Sequence, residues 1–281
     1  ITAARFTEDV SFTGIGAIYS SDGNKTANSY HPIYNKNLTL LNGYWHAISG
    51  INYDAASDGI SGTAAGALTT PGKGNAGLFR LTDKSGGFTI NELALKNCSF
   101  ETTGGHAGSF VAETTTILNL GSVLACGNTS TVKAVSASMM NSYDAGGLVG
   151  RAGAGLTVNN SAASVLVRAD IPGGTQTSGA AGGLVGHQAS GNLSISDSYA
   201  GGHTSSAKYS LASDAGCNIF SDSGAAGGLC GKIASGSISV SRSFSAASVA
   251  STYGYAGGIF GEASGSVSMS QYVYSVAPVR N

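Results

Sequence analysis

The feature that most constrains the fold is a short glycine-rich block that recurs four times in the second half of the chain. Each copy follows an alanine and has the order Gly-Gly, two apolar residues, Gly, and the copies occupy residues 146–150, 182–186, 227–231 and 257–261. Two degenerate copies lie upstream, at 76–79 and 107–110. With the glycine before the apolar pair as the anchor, Gly77 and Gly108 align with Gly147, and successive anchors are 30 to 45 residues apart. Such a period is typical of repeat architectures, in which each repeat packs on its neighbours.

An alternating segment follows each block after a short polar turn. Apolar residues alternate there with Ser, Thr or Asn, as in residues 156–159 and 193–196. Alternation with a period of two places the apolar residues on one face of a β-strand. A single repeat cannot cover that face. Repeats stacked at the ~4.8 Å strand spacing bury all of these faces in one continuous column.

The sequence therefore predicts an all-β fold, a right-handed parallel β-helix (a β-solenoid) with loop excursions. The right hand is expected because parallel strand–crossover–strand connections are nearly always right-handed. The block glycines are predicted to be structural, because glycine adopts positive φ at tight bends and lets successive coils approach closely. These positions are Gly147, Gly150, Gly183, Gly186, Gly228, Gly231, Gly258 and Gly261.

We expect one domain over residues 1–281. Residues 1–74 are predicted to form an N-terminal cap and the opening coils, residues 75–275 the repeats, and residues 276–281 a C-terminal tail. The variable spacing of the blocks indicates loops outside the stack, the longest from about 201 to 226. Repeat proteins usually place their contacts on such excursions.

Composition and motifs exclude several functional classes. The 14 Lys and Arg residues balance 15 Asp and Glu residues, so the basic excess of a nucleic-acid-binding protein is missing. No apolar run approaches the ~18 residues of a membrane span, so we expect no membrane insertion within this segment. The five histidines show no metal-ligand spacing. Residues 224–232 approach a phosphate-binding loop, but Ile233 replaces its Ser or Thr and a strand pattern follows. We therefore expect no metal and no cofactor.

The cysteines allow two interpretations. Their spacing does not match a zinc site. They are either small apolar core residues or, in an exported protein, partners in a Cys217–Cys230 or Cys98–Cys126 disulfide.

The four blocks, with alternating strands behind them, resemble the GLUG-motif repeat family. The likeness covers residues 38–275, with 41–51 similar to an opening coil and 75–98 similar to a first full repeat. The family occurs in bacterial surface-exposed and secreted proteins, including adhesin-like proteins and the non-catalytic parts of some IgA-specific metallopeptidases. The resemblance implies a parallel β-helix-like solenoid on a cell surface. It implies no particular ligand and supplies no catalytic residues, and the metallopeptidase motif H-E-x-x-H is absent from this chain.

These observations predict a non-catalytic, extracellular or cell-surface adhesin-like module whose partner is a host or neighbouring-cell glycan or protein. Tyr209, Tyr253 and Tyr255 precede glycine blocks and are the candidate ligand-binding residues, since tyrosine offers a stiff contact surface with a polar tip. The alternatives are a carbohydrate-active enzyme, either a polysaccharide lyase or a hydrolase, and a ligand-free stalk or spacer. An enzyme predicts carboxylates, or Lys or Arg with a carboxylate, in one groove across adjacent coils. An adhesin predicts an aromatic or polar patch without such a cluster, and a spacer predicts neither.

Overall fold

The fold is seen in a computed structural model that describes residues 3–12, 33, 37–55, 74–82, 86–135, 143–170, 179–201 and 218–281. The described residues form strands, turns and bends, without a helix. Every strand pairing among them is parallel. The predicted all-β parallel β-helix is confirmed.

The strands are short, as expected for coils that turn several times around a narrow core. In the first half of the chain they are β1 (Ala3–Arg5), β2 (Val10–Ser11), β3 (Leu40–Asn42), β4 (Ala47–Ser49), β5 (Asn52–Asp54), β6 (Phe79–Thr82), β7 (Phe88–Asn91), β8 (Ala94–Lys96), β9 (Ser99–Thr102), β10 (Ala107–Gly108), β11 (Val111–Thr114), β12 (Leu118–Gly121), β13 (Leu124–Val135), β14 (Ala145–Gly146), β15 (Val149–Ala152) and β16 (Leu156–Asn159). In the second half they are β17 (Ala162–Asp170), β18 (Ala181–Gly182), β19 (Val185–Gln188), β20 (Leu193–Ser196), β21 (Tyr199–Ala200), β22 (Ile219–Ser221), β23 (Ala226–Gly227), β24 (Cys230–Ile233), β25 (Ser237–Ser241), β26 (Phe244–Ser245), β27 (Val249–Ser251), β28 (Ala256–Gly257), β29 (Phe260–Ala263), β30 (Ser266–Ser270), β31 (Tyr274–Ser275) and β32 (Val279–Arg280).

Four parallel sheets run along the column. Sheet 1 contains β1, β3, β7, β12, β16, β20, β25 and β30, and sheet 2 contains β10, β14, β18, β23 and β28. Sheet 3 contains β6, β11, β15, β19, β24 and β29, and the remaining thirteen strands form sheet 4. One coil passes through sheet 2, sheet 3, sheet 1 and sheet 4 in turn, as β14, β15, β16 and β17 do. The glycine block therefore spans the sheet 2 strand and the tight turn into sheet 3.

The core is a set of apolar files that run from coil to coil. Leu148, Leu184 and Leu229 are fully buried in successive coils, and the N–H of each donates to the carbonyl of its successor at 2.9 Å, ending on Ile259. In sheet 1 the register places Leu156, Leu193 and Ile238 side by side, which confirms the predicted stacking of the alternating segments. The partner residues on the other face of the strand are polar.

The block glycines are required by close approach of backbone rather than by positive φ. A Cβ on Gly183 would lie 2.1 Å from the carbonyl oxygen of Gly228, and one on Gly186 would lie 2.5 Å from that of Gly150. None of the eight predicted glycines is among the residues with positive φ. The structural assignment of these glycines is thus explained by coil-to-coil contact, and the expectation of left-handed bends at them is wrong.

The register corrects the alignment of the first degenerate blocks. Gly108 pairs with Gly146, not Gly147, because residue 109 occupies the position of the second glycine in the later blocks. The earliest block is one residue shorter, since Ala76 bridges Ala107 while Phe79 pairs with Val111.

The last coil, β28 to β32, has no coil stacked beyond it among the described residues. Val267 and Met269, which continue the buried files of sheet 1, are exposed there. The final strand, β32, pairs with β27, so the stack includes residues that were expected to form a C-terminal tail.

Candidate functional site

The corner between sheet 1 and sheet 4 carries one left-handed residue in each coil. These residues follow the last strand position of sheet 1, and their φ angles lie between 46° and 55°: Glu92, Ser122, Asn160, Asp197 and Arg242. We call them the corner file. Two coils turn there with two such residues each, the coil of β3 and β4 with Tyr44 and Trp45 and the last coil with Gln271 and Tyr272. The left-handed turn directs the chain from one sheet to the next without glycine.

A buried serine stabilises this corner in three successive coils. Ser198 illustrates the arrangement: its Oγ donates to the carbonyl of Ser196 at 2.7 Å and accepts the N–H of Ser161 at 3.1 Å. Ser161 and Ser243 make the equivalent bonds in the neighbouring coils. The serine side chain thus replaces the backbone ladder where the corner interrupts it.

The corner file itself is polar and internally paired. Asn160 donates to the hydroxyl of Ser122 at 2.9 Å. Arg242 donates to both carboxylate oxygens of Asp197, at 2.6 and 2.7 Å, and to the side-chain oxygen of Gln271 at 2.9 Å. The hydrogen bond from Arg242 lowers the pKa of Asp197 below its usual value. The carboxylate of Asp197 is therefore neutralised by Arg242, and Glu92, in the coil before Ser122, is the second carboxylate of the file.

Two residues after the corner, an aromatic ladder runs along the outer face of sheet 4. The rings of Tyr199 and Phe244 are 5.2 Å apart and inclined by 5°, and those of Phe244 and Tyr274 are 5.3 Å apart and inclined by 7°. The rings cover each other's faces, so the ladder stabilises the stack of coils. Earlier in the same file stand smaller residues, Leu124 and Ala162.

A groove opens where the aromatic ladder stops. It has a volume of about 210 Å³ and lies against the corner file in the three coils of Ser122, Asn160 and Asp197, the last of which also contains Tyr199. Its lining consists of Trp45, Ser122, Val123, Leu124, Asn160, Ser161, Ala162, Asp197 and Tyr199. We call it the corner groove. Trp45 reaches it from the corner between β3 and β4, past the coil that contains Glu92, whose carbonyl accepts the N–H of Trp45.

Most of the large exposed aromatic side chains lie along this corner and the adjacent ladder. They are Tyr44, Trp45, Tyr199, Tyr272 and Tyr274, which we call the aromatic edge. The sequence analysis did not predict them, although one of them, Tyr199, follows a recognisable signal. A buried serine after a polar corner residue, followed directly by an aromatic residue, marks Tyr199 and, in the aromatic ladder, Phe244.

The predicted ligand-binding tyrosines lie elsewhere. Tyr253 and Tyr255 are 62% and 59% exposed. They lie between β27 of sheet 4 and β28 of sheet 2, and not at the corner between sheet 1 and sheet 4. Tyr209 lies outside the described residues. The structure therefore exposes two of the three predicted tyrosines but does not place them on the aromatic edge.

A second polar surface crosses the outer face of sheet 4. The register aligns Asp54 with Glu101, Glu101 with Lys133, and Lys133 with Arg168 in four successive coils. A cleft of about 410 Å³ adjoins the first of these coils and is lined by Gly50, Ile51, Asn52, Asn97, Ser99, Glu101, Thr129 and Thr131. This charged file is the arrangement that the enzyme alternative predicts, two carboxylates beside a cation on adjacent coils.

Arg168, at the end of the charged file, is already engaged. Its Nε donates to Asp170 at 2.6 Å, and its guanidinium lies 4.8 Å from the ring centre of Phe220. Burial raises the pKa of Asp170 above its usual value even though Arg168 favours the charged form. Arg168 thus packs as part of the sheet surface.

A buried carboxylate joins three coils on the far side of the column. Asp144 Oδ2 is 3.1 Å from His187 Nδ1 and 3.4 Å from Arg151 Nη1. Its Oδ1 accepts the N–H of Ala180 at 2.9 Å, while its own N–H donates to His106 Nδ1 at 3.0 Å. Burial alone would raise the pKa of Asp144, but the contacts with the two histidines outweigh it and hold the pKa well below its usual range. The cluster ties coils together and is almost closed to solvent.

Cys98, Cys126 and Cys230 are free thiols. The alternative Cys98–Cys126 disulfide is therefore wrong, because Cys98 Sγ turns inward and donates to the carbonyl of Lys96 at 3.4 Å. Cys217 lies outside the described residues, and Cys230, its predicted partner, is fully enclosed in the core. Burial raises the pKa of the Cys230 thiol to about 12.

Two further findings concern metals and membranes. Within the described part of the chain, no three His, Cys, Asp or Glu side chains are grouped so that they could hold a metal ion. No helix long and apolar enough to cross a membrane occurs in that part either.

Comparison with known proteins gives a relationship of fold. No protein-family model and no curated protein sequence matches the chain. Among solved structures, the crystal structure of a proposed immunoglobulin A1 protease from Bacteroides ovatus is similar, with a TM-score of 0.56 and 14% sequence identity. The similarity covers 99% of this chain and 77% of that chain. At this identity the likeness establishes a shared architecture alone, and the resemblance to GLUG repeats stays a prediction.

Proposed function

We propose that this chain is a non-catalytic, adhesin-like binding module of a bacterial surface or secreted protein. The observation that carries the proposal is the aromatic edge, a line of exposed Tyr and Trp side chains on one corner of a regular column. Trp45 and Tyr272, at its two ends, are 69% and 83% exposed. Exposed apolar surface arranged along a line marks interaction sites more often than scattered single residues do.

The column is suited to presenting such a surface. Interior strands are hydrogen-bonded to both neighbours, so Tyr199 and Tyr274 stand on strands of a stiff scaffold. Tyr44, Trp45 and Tyr272 lie on the tight turns that join two of its sheets. Tyr and Trp lose little side-chain entropy on binding and supply both apolar and polar contact. A partner that contacts several coils at once binds more tightly to a rigid column, because the column loses little conformational entropy on binding.

The resemblance to GLUG repeats supports an extracellular or cell-surface location and a host or neighbouring-cell glycan or protein as the partner. The near balance of charge supports recognition by shape and aromatic contact rather than by long-range attraction. A ligand-free spacer has no need of exposed aromatic residues along one edge, so this alternative is disfavoured.

The proposal is tested by binding to an array of glycans and host matrix proteins. The wild-type chain is compared with a Trp45→Ala/Tyr272→Ala variant, which removes exposed rings but leaves the aromatic ladder intact. The matched control is Tyr253→Ala/Tyr255→Ala, which removes two similarly exposed rings at the position predicted from sequence. We expect the first variant to lose binding at least tenfold and the control to retain it. Binding by neither wild type nor variants, or loss only in the control, would contradict the proposal.

The charged file favours a second candidate, a carbohydrate-active enzyme. Asp54 and Glu101 stand on adjacent coils, about 4.8 Å apart in backbone spacing, and retaining glycosidases hold their two carboxyl groups about 5 Å apart. An enzyme predicts release of reducing or unsaturated sugar ends from polysaccharides by the wild type and none by Glu101→Gln. The non-catalytic proposal predicts no release by either protein.

A further inference from the structure

The corner groove lies where a file of stacked rings on the outer face of sheet 4 begins. From Tyr199 onward, each coil places an aromatic ring on the outer face of sheet 4, and the rings stack face to face. One coil earlier the file has Ala162, a single methyl group, so the second face of Tyr199 is left without a stacked ring. The corner groove occupies this gap.

The ends and the rim of the groove have distinct chemistry. Tyr199 closes one end and Trp45 borders it from the corner between β3 and β4, with Leu124 and Ala162 as an apolar floor between them. The rim carries polar side chains of the corner file, namely Ser122, Asn160 and Asp197. The single carboxylate at the rim, Asp197, is neutralised by two hydrogen bonds from Arg242.

We infer that the corner groove is a subsite for one neutral pyranose unit of a glycan, an inference that rests on the proposed function. A pyranose ring combines an apolar C–H face, which suits the rings of Tyr199 and Trp45, with hydroxyl groups around its edge. Asn160 and Ser122 offer amide and hydroxyl groups to that edge, and their mutual 2.9 Å hydrogen bond fixes their positions. The neutralised rim disfavours an acidic or strongly basic ligand.

The dimensions agree with a ligand of this size. From the coil of Leu124 to the coil of Tyr199 is two strand spacings, about 10 Å. The volume of about 210 Å³ is below the ~300–1,000 Å³ of cavities that enclose drug-sized ligands. A longer glycan would place one ring in the groove and continue along the aromatic edge.

The test uses Trp45, which is the one tryptophan of the chain, as a built-in reporter. Its fluorescence is titrated with cellotriose, mannotriose, tri-N-acetylchitotriose and lactose, and with trigalacturonate as an acidic comparison. We expect at least one neutral sugar to shift the emission saturably and to protect the indole from acrylamide quenching. No saturable change with any neutral sugar, or a change with trigalacturonate alone, would overturn the inference.

A substitution that fills the groove tests its role in binding separately from that of the rest of the surface. In Ala162→Phe the new ring continues the aromatic ladder by one rung and occupies the groove, so the column is expected to remain folded. Binding of the sugar identified with wild type should fall at least tenfold, while the thermal midpoint does not fall. Tyr253→Ala is the matched control and should bind as wild type does.

The outcomes distinguish this inference from the proposed function. If the array shows binding that depends on Trp45 and Tyr272 but Ala162→Phe binds equally well, the groove is not the subsite and the adhesin-like function stands. If wild type binds only proteins on the array, the sugar subsite is likewise overturned. If wild type binds nothing on the array, the proposed function itself fails.

Discussion

The substitution Gly183→Ala tests the physical basis of the stack most directly. A Cβ at this position would lie 2.1 Å from the carbonyl oxygen of Gly228 in the next coil, and 2.5 Å from the side chain of Ala200. Ordinary contacts of this kind begin near 3.4 Å. The two coils must therefore separate by about 1 Å at this point, because neither the carbonyl nor the facing backbone can move aside in a close-packed interior.

The size of the effect follows from the hydrogen bonds that this separation breaks. The N–H groups of Gly183, Leu184 and Val185 donate to carbonyls of the next coil at distances of 2.9 to 3.1 Å. Three buried hydrogen bonds at roughly 1 kcal/mol each give a loss of about 3 kcal/mol. Urea denaturation followed by far-ultraviolet circular dichroism measures it as a lower midpoint. The substitution therefore weakens the stacking interface between two neighbouring coils.

Gly155→Ala is the matched control for this substitution. An added Cβ there meets only the Ile117 side chain at 3.8 Å and the Asn192 carbonyl at 3.9 Å, which is ordinary contact. The residue has no positive φ, so alanine is expected to be neutral or to stabilise by about 0.5 kcal/mol through the unfolded chain. If Gly183→Ala changes the free energy of unfolding by no more than Gly155→Ala does, the account of the block glycines as close-approach positions is wrong.

Three further predictions concern buried polar groups and the core thiol. Ser198→Ala leaves the buried N–H of Ser161 unpaired and should cost about 2 kcal/mol, whereas Ser239→Ala, on the exposed face of sheet 1, should cost less than 0.5 kcal/mol in the same urea titration; equal effects would refute the role of the corner serines. Asp144→Asn should destabilise by about 3 kcal/mol at pH 7. The folded-state pKa of Asp144 lies below the ordinary value of 3.8, so its stabilisation is complete above that pH and is lost as the pH falls. Thermal midpoints of wild type and variant should therefore converge in acid, and a constant difference down to pH 2 would contradict the ion-pair explanation. Because the pKa of the Cys230 thiol is raised to about 12, iodoacetamide at pH 8 should modify Cys126 in the folded protein and reach Cys230 only after unfolding, as read by mass spectrometry; equal labelling of both in the folded protein would contradict its burial.

The repeat and its core could be predicted from the sequence because the same residue types recur at the same structural positions. Each leucine or isoleucine of a block fills one place in one file, and the alternating segments after the blocks carry the period of a strand. The register of the degenerate blocks could not be predicted in the same way. Around Gly108 a serine replaces the second glycine, and a pattern match that anchors on glycine then moves the alignment by one residue.

The corner file could not be predicted because its residues share a backbone conformation and not a side-chain type. Glu92, Ser122, Asn160 and Arg242 have φ near 50° in consecutive or nearby coils, and nothing in their chemistry unites them. What recurs, after Asn160, Asp197 and Arg242, is a buried serine one position later, whose hydroxyl pairs with the backbone on both sides. Left-handed backbone is costly for such residues, and the serine offsets part of that cost locally.

The aromatic edge shows why a binding surface of a solenoid is hidden in its sequence. Trp45 and Tyr199 are far apart in the chain and belong to different coils, and their proximity depends on how the coils stack. The file of sheet 4 residues that contains Tyr199 then has two effects. Where rings occur in consecutive coils they cover one another and stabilise the column, and where Ala162 precedes the first of them a ring face becomes available to a ligand. Position 162 is therefore expected to determine whether this part of the surface is structure or recognition, and we predict that Ala162→Phe converts one into the other without changing the fold.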